Sequence, residues 1–183
     1  MGDALTGLLA GLLAQGHDLL RRLGPPPCAA DATGTAILFY TSGTTSFPKG
    51  VPLSHANLLP HSVRCGELLE IQPGEKVLTL YPFFGISGGA NKVLSTFGRG
   101  ACLVFQDAFR AAEACELLES EDCSIIHGVD VQVRELLSAL KSRGVTQPVR
   151  ERRGTIAFMA SVDPGLARAM GDALGLRRFV HPY

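Results

Sequence analysis

The sequence lacks a net charge, a basic block and an apolar run of transmembrane length, and each absence disfavours a class of protein. Its 17 basic residues balance its 17 acidic residues, so no basic surface predicts nucleic acid as a partner. Apolar residues make up 46% of the chain, but no run approaches the roughly 20 residues that a membrane-spanning helix needs. The composition indicates a globular protein with enough chain for one domain and its core.

The sequence also lacks any C-x-x-C pair, and its five cysteines are odd in number. This usage argues against a disulfide framework and a zinc site, and it predicts the cytoplasm or another reducing compartment. Three of the cysteines lie in apolar segments, where a free thiol packs as a small hydrophobic side chain. They are Cys102, Cys115 and Cys123.

The N-terminus carries no clear targeting signal. Residues 4–14 are as apolar as a signal-peptide core, but Asp3 stands where a basic residue is expected and no cleavage site follows. Met1 to Thr6 fits the M-G-x-x-x-[ST] pattern of N-myristoylation, which many sequences meet by chance. Whether Met1-Gly2 is a native, myristoylated start stays open.

Hydrophobic periodicity divides the chain into three parts. Leucines at helical spacing predict an amphipathic helix over residues 1–24, and a proline-rich linker follows over 25–35. From residue 36 to 183, apolar runs alternate with helical patterns, which predicts an α/β domain with a mostly parallel sheet flanked by helices. The predicted strands are 36–40, 77–83, 101–105, 124–127, 155–159 and 178–181, and the predicted helices are 55–70, 87–97, 108–121, 131–142 and 164–174.

Two groups of polar residues have structural interpretations. The basic clusters Arg150 to Arg153 and Arg177-Arg178 are typical of solvated faces, and 143–154 has the composition of a surface loop. His127 ends an apolar strand pattern, where a hydrogen-bonded structural histidine is expected. The histidines have no recognisable spacing of metal ligands.

The most informative segment is YTSGTTSFPKGV, from Tyr40 to Val51. It follows an apolar strand pattern, so we expect the loop 41–50 at a strand's carboxyl end, where α/β sheets bind ligands. Glycines let the backbone approach an anion, and hydroxyl and backbone N–H groups can donate to phosphate oxygens. The Walker A pattern G-x-x-x-x-G-K-[ST] is absent. Composition alone leaves a ligand-free surface loop equally open.

The complete string resembles the phosphate-binding signature of the adenylate-forming enzymes, T-S-G-T-T-G-x-P-K-G. This family includes acyl-CoA synthetases, adenylation domains of peptide synthetases, and luciferases. The match departs only at Ser46, where glycine is usual, and weaker similarity extends over about residues 31–183. Tyr183 matches the aromatic residue of a Tyr-Gly-x-Thr-Glu motif that stacks on adenine. The resemblance implies that ATP is bound by Thr41, Ser42, Gly43, Thr44, Thr45, Ser46, Lys49 and Tyr183.

The same resemblance implies an acyl pocket, and here the sequence departs from the family. Phe84 and Gly85 lie where a histidine or an aromatic gate is usual. Met159, Ala160 and Ser161 lie where a glycine-rich segment is usual. These five positions are the expected acyl-pocket residues, and the departures leave the acyl substrate undefined.

The implied reaction is that of an ATP-dependent, AMP-forming carboxylic acid–CoA ligase, which uses ATP, Mg²⁺ and coenzyme A as the acceptor. No residue of this chain is a certain catalytic residue, and the metal ligands are unknown, because the family's acidic residue and catalytic lysine would follow Tyr183. We therefore expect a fragment, truncated before Gly-x-Thr-Glu, that is inactive alone. Two alternatives stay open: a degenerate nucleotide-binding or interaction module, and one piece of a split enzyme that another chain completes.

Overall fold

In the part of the chain that the structure describes, five parallel strands form the central sheet and two further strands pair in an antiparallel hairpin. The structure is a computed structural model, and it describes residues 31–41, 47–145, 147–159 and 163–181. The predicted helix over 1–24 and most of the predicted linker lie outside these residues. The chain divides into two units, Met1–Gly34 and Thr35–Tyr183, and all elements below lie in the second.

The parallel sheet confirms the predicted fold class. Its strand order is β4-β3-β5-β6-β7, and every neighbouring pair is parallel. The predicted strand over 77–83 is shorter than expected, because the chain leaves the sheet before Pro82, which has no N–H to donate. The strand bounds are β1 Thr35–Tyr40, β2 Gly50–Ser54, β3 Lys76–Thr79, β4 Cys102–Phe105, β5 Ile125–Val129, β6 Arg152–Ala157 and β7 Leu176–Val180.

The helices begin and end close to their predicted positions, and local capping explains several ends. Ser54 and Asn57 form a capping box at the start of the first helix. The last helix begins after Asp163, which accepts from two backbone N–H groups, and ends at Gly175 in the left-handed region. The bounds are α1 His55–Leu68, a π-helical segment Ser87–Lys92 that continues as α2 Val93–Phe97, α3 Ala111–Ser120, α4 Asp130–Ser142 and α5 Pro164–Leu174.

Helices cover both faces of the sheet. Leu78 and Ile126 point to one face, where they pack in a large apolar cluster with α3, α4 and α5. Their neighbours Val77 and Ile125 point to the other face and pack with Ile71, which follows α1. Strands buried on both sides are typical of parallel sheets. None of the described helices combines the length and apolar character that crossing a membrane requires.

The hairpin corrects one expectation about the loop 41–50. The loop follows β1, as predicted, but β1 pairs antiparallel with β2 and is not a strand of the parallel sheet. The segment after the loop, interpreted as a short extended piece, is the strand β2. Pro52 obscured it, because proline is confined to edge strands or strand ends. The position of the loop therefore depends on a hairpin and not on the edge of the parallel sheet.

The interpretation of Arg150 to Arg153 as a solvated face is wrong for two of its members. Arg152 is buried, and its guanidinium donates to the carbonyl oxygens of Cys123 and Leu174, both at 2.9 Å. Arg153 donates to the Leu69 carbonyl at 2.7 Å and forms an ion pair with Glu75. Both side chains therefore form hydrogen bonds to backbone segments that lie far away in sequence.

The four described cysteines are free thiols. Cys115 and Cys123 are buried, as expected from their apolar context, and burial raises the pKa of the Cys123 thiol to about 12. Cys102 is exposed, so its predicted burial is wrong. It lies on β4, an edge strand of the sheet, which has only one neighbouring strand.

We expect Gly154→Ala to destabilise the fold by roughly 1–3 kcal/mol, because a Cβ on β6 would overlap the carbonyl oxygen of Ile126 on β5. Gly171→Ala, on α5, is the matched control, since apart from the helix's own backbone the nearest atom to its Cβ would be Arg177 Nη1 at 3.8 Å. Alanine in a helix should stabilise that variant by about 0.5–1 kcal/mol. Urea unfolding followed by circular dichroism measures both changes, and equal stabilities of the two variants would contradict the β5–β6 packing.

Candidate functional site

The loop predicted to bind phosphate is closed by its two ends. The backbone N–H of Thr41 donates to the carbonyl oxygen of Lys49 at 3.0 Å, next to the strand pair of Tyr40 and Gly50. The Lys49 side chain is exposed, and no hydrogen bond or ion pair joins it to the described part of the chain. Its ammonium is therefore available to a ligand. The predicted roles of Ser42, Gly43, Thr44, Thr45 and Ser46 fall outside the described residues and stay predictions.

The predicted adenine-stacking residue, Tyr183, also lies outside the described residues. The chain leading to it is fixed by contacts at the carboxyl edge of the sheet. His181 packs edge-on against Phe158, with ring centroids 5.5 Å apart, and its Nδ1 accepts from the Phe158 backbone N–H at 3.4 Å. These contacts join the ends of β6 and β7.

The expected acyl-pocket residues do not meet in one cavity of the described structure. Phe84 is 87% exposed and lines a cleft beyond β3 and β4, where Phe83 and Phe105 have ring centroids 4.7 Å apart. Met159 is 75% exposed after β6. Gly85 lies just before the π-helical segment, and Ala160 and Ser161 are outside the described residues. Their contacts with a substrate stay predictions.

A cavity of about 420 Å³ lies on the α1 face of the sheet. We call it the Lys92 cavity. Helix α1, the π-helical segment and the carboxyl ends of β6 and β7 surround it. Its walls are largely apolar, and no aspartate or glutamate is among the described residues that line it. The lining residues are His61, Cys65, Leu68, Leu69, Tyr81, Ile86, Ser87, Asn91, Lys92, Thr155, Val180 and His181.

The π-helical segment can approach the chain before it only because two of its residues are glycines. A Cβ on Gly88 would overlap the carbonyl oxygen of Pro82, and one on Gly89 would overlap that of Phe83. Single π-helical turns occur frequently at functional sites. Here the turn ends at Asn91 and Lys92, which both line the cavity.

Lys92 is only 6% exposed. No hydrogen bond or ion pair of its ammonium is formed within the described ranges. Burial lowers the pKa of Lys92 to about 8, so the side chain is mostly protonated at neutral pH. A buried charge without a partner is costly to a folded protein. The cavity therefore contains a positive charge that an anionic ligand would compensate.

Polar side chains form a row across the sheet below Lys92. Thr79, His127 and Thr155 are register partners on β3, β5 and β6. The fully buried His127 accepts from the Thr155 backbone N–H through Nδ1 at 3.2 Å, in agreement with its interpretation as a structural histidine. Burial and the Lys92 charge hold the pKa of His127 well below its ordinary value. The neutral ring thus carries its proton on Nε2.

Two atoms of this row have no hydrogen-bond partner in the described structure. They are His127 Nε2, which is a donor, and Thr79 Oγ1. Asn91 Oδ1 and Ser62 Oγ, from the elements above the sheet, are also buried and unpaired there. Unpaired buried polar atoms are uncommon in folded proteins and can indicate the place of a bound group.

Lys92 is not among the site residues predicted from the sequence, although one signal of it is present there. Lys92 is the single charged residue between Lys76 and Arg99. A lone charge within such an apolar stretch is either exposed on a turn or buried with a functional role. Among the described residues, no group of three or more His, Cys, Asp or Glu side chains could hold a metal ion.

A family model described as AMP-binding enzyme matches residues 7–183. The match begins upstream of residue 31, the predicted start of the resemblance. The putative acyl-CoA synthetase YngI of Bacillus subtilis (strain 168) is 33% identical over 90 residues, which are 49% of this chain and 16% of that protein. The peroxisomal long chain acyl-CoA synthetase 7 of Arabidopsis thaliana is 32% identical over 149 residues, which are 80% of this chain and 20% of that protein.

Solved structures support the same fold. The o-succinylbenzoate coenzyme A synthetase of Bacillus subtilis, in complex with ATP and magnesium ion, superposes with a TM-score of 0.68 at 22% sequence identity. The match covers 82% of this chain and 31% of that chain. The chain thus spans a fifth or less of the curated relatives above and about a third of this structural neighbour.

We expect Lys92→Met to be more stable than the wild type below about pH 8, by roughly 2–3 kcal/mol, because it removes a buried unpaired charge. The folded-state pKa of Lys92 is about 8, against the ordinary value of 10.5. As the pH rises from 8 to 10.5, the folded wild type loses this proton first and gains stability, so the difference should vanish. Urea unfolding across this pH range measures it.

Lys141→Met, on the exposed end of α4, is the matched control for that experiment and should show no such pH dependence. A Lys92→Met variant that is less stable than the wild type at neutral pH would contradict the unpaired state of the ammonium.

Proposed function

The chain belongs to the AMP-binding enzyme family, and we propose that it forms part of an ATP-dependent, AMP-forming carboxylic acid–CoA ligase. The family match over residues 7–183 supports this proposal, as do curated relatives that are named acyl-CoA synthetases. The observation that carries it is the hairpin whose loop has the sequence of the phosphate-binding signature, with an exposed Lys49 that has no hydrogen-bond or ion-pair partner among the described residues.

The proposed reaction has two steps. A carboxylate oxygen of the acid attacks the α-phosphorus of ATP, the bond to the β-phosphate oxygen breaks, and pyrophosphate leaves as acyl-AMP forms. The thiol sulfur of coenzyme A then attacks the acyl carbon, loses its proton, and displaces AMP. Such transfers depend mainly on positioning and on charge stabilisation.

The hairpin loop would hold the β- and γ-phosphates of ATP. Lys49 supplies a point charge, and the hydrogen bond from Thr41 to Lys49 fixes the two ends of the loop. The hydroxyls of Thr41, Ser42, Thr44 and Thr45 and the N–H groups near Gly43 would donate to phosphate oxygens. Mg²⁺ would reduce the charge of the polyphosphate, and we assign it no ligand among the described residues.

The acyl group would lie at the carboxyl edge of the parallel sheet. Phe84 and Gly85 precede the π-helical segment there, and Met159, Ala160 and Ser161 follow β6. The Lys92 cavity is lined by Ile86 and Ser87, which come directly after Gly85, and by Thr155 of β6, and it has largely apolar walls. Its volume of about 420 Å³ is within the range of small-molecule sites.

We further propose that residues outside this sequence complete the reaction, because the chain spans only 16% and 20% of the two relatives. The remainder could belong to the same protein or to a second chain. A nucleotide-binding module without catalysis is the alternative, and the two proposals differ in whether acyl-AMP forms once the remainder is present.

We expect Lys49→Ala to weaken the binding of Mg·ATP to the chain by roughly 10-fold or more, because it removes a charge-assisted contact with phosphate. The free energy of unfolding should change by no more than about 0.5 kcal/mol, as for other surface side chains. Isothermal titration calorimetry measures the affinity, and Lys141→Ala is the control for a general loss of positive charge. Unchanged affinity in Lys49→Ala would remove the loop from the ATP site.

We expect no ATP–pyrophosphate exchange from the chain alone with any of a panel of carboxylic acids, and exchange from a longer version that includes the remaining family domains. The assay detects the first step directly, because it measures the reversible formation of acyl-AMP. Exchange by the chain alone would show that the sequence is a complete adenylating unit. Absence of exchange from the longer version would favour the module without catalysis.

A further inference from the structure

We propose that the Lys92 cavity binds the second, distal carboxylate of a dicarboxylic acid, with the ammonium of Lys92 as its counter-ion. The inference deepens the proposed function, because that function assigns the other carboxylate to activation by ATP. It names a substrate class and a residue that selects it.

The charge balance of the cavity carries the proposal. Lys92 is 6% exposed and lines the cavity, and no acidic side chain is present among the described lining residues. Cys65 of α1 also lines the cavity, and its Sγ lies 3.4 Å from Asn91 Nδ2 and 3.7 Å from His61 Nε2. A buried cation becomes favourable only when an anion of good geometry pairs with it.

The groups below Lys92 on the sheet do not neutralise its charge. His127 carries its proton on Nε2, and this atom and the Thr79 hydroxyl are unpaired in the described structure. Neither residue lines the cavity, and neither carries a negative charge that could pair with Lys92. Register pairing places the two residues side by side on the sheet face that Lys92 covers.

The apolar walls indicate that the anion is attached to a hydrocarbon chain. Leu68, Leu69, Ile86 and Val180 line the space around Lys92. Burying methylene groups against such walls is favourable at about 0.8 kcal/mol for each group. A free inorganic anion would leave these walls without a partner. A dicarboxylic acid offers a carboxylate to Lys92 and methylene groups to the apolar walls.

The test is calorimetric titration of the whole chain, without ATP, at neutral pH. The monomethyl esters of succinic, adipic and suberic acids, which keep only the distal carboxylate, are compared with the methyl esters of butyric, hexanoic and octanoic acids, which have none. We expect the best half-ester to bind roughly 10- to 100-fold more tightly than its matched uncharged ester, as for a hydrogen-bonded buried charge. Lys92→Met should abolish this preference, while Lys92→Arg and the control Lys141→Met should retain it.

Several outcomes would overturn the proposal. They are equal affinities within each pair, a preference that persists in Lys92→Met, no binding of any half-ester, or equally tight Lys92-dependent binding of inorganic phosphate. The result is separate from the proposed function because no nucleotide is present. A preference for the distal carboxylate with no adenylation by the longer version would support the cavity site and contradict the ligase function. Adenylation of monocarboxylic acids without the preference would support the ligase function and contradict the cavity site.

Discussion

The alternation of side chains along β3 and β5 is the constraint on which the rest of the structure depends. Val77 and Ile125 point to one face of the sheet, and Leu78 and Ile126 point to the other. Each face must therefore be covered, because parallel strands that are apolar on both sides are unstable in water. Three helices cover one face, and α1 with the π-helical segment covers the other. The candidate site exists because α1 and the π-helical segment leave a cavity at the carboxyl edge of the sheet.

The two sides of the sheet differ in their chemistry. The three-helix side is a continuous apolar cluster, and its packing stabilises the domain. The α1 side ends in a polar row and a buried lysine that has no hydrogen-bond or ion-pair partner among the described residues. Such a charge lowers the stability of the folded chain. Functional sites commonly violate rules that the rest of a fold obeys. Lys92 is such a violation, and an anion bound beside it would explain why the chain tolerates the loss of folding stability.

Much of the fold could be predicted from the sequence, because apolar runs and helix caps are local signals. Helix α5 over 164–174 has its predicted bounds. The wrong predictions concern contacts between distant segments. The buried Arg152, for example, donates to the carbonyls of Cys123 and Leu174, which lie 22 or more residues away in sequence. The motif predicts Lys49 as a phosphate ligand. Lys92 has only the weaker signal of a lone charge in an apolar stretch, and its burial follows from the fold-back of the π-helical segment. Pro52 hid the hairpin because proline disfavours strands.

The central claim is that this chain holds two separate anion sites, one for the phosphates of ATP at Lys49 and one for an organic acid at Lys92. NMR of the chain with ¹³C at the lysine ε-carbons tests it most directly, because the sequence has four lysines and each reports on a different place. Mg·ATP should shift the Lys49 signal and adipic acid the Lys92 signal, while Lys76 and Lys141 stay unchanged. Shifts of all four signals together, or no shift of Lys49 with saturating Mg·ATP, would contradict the account.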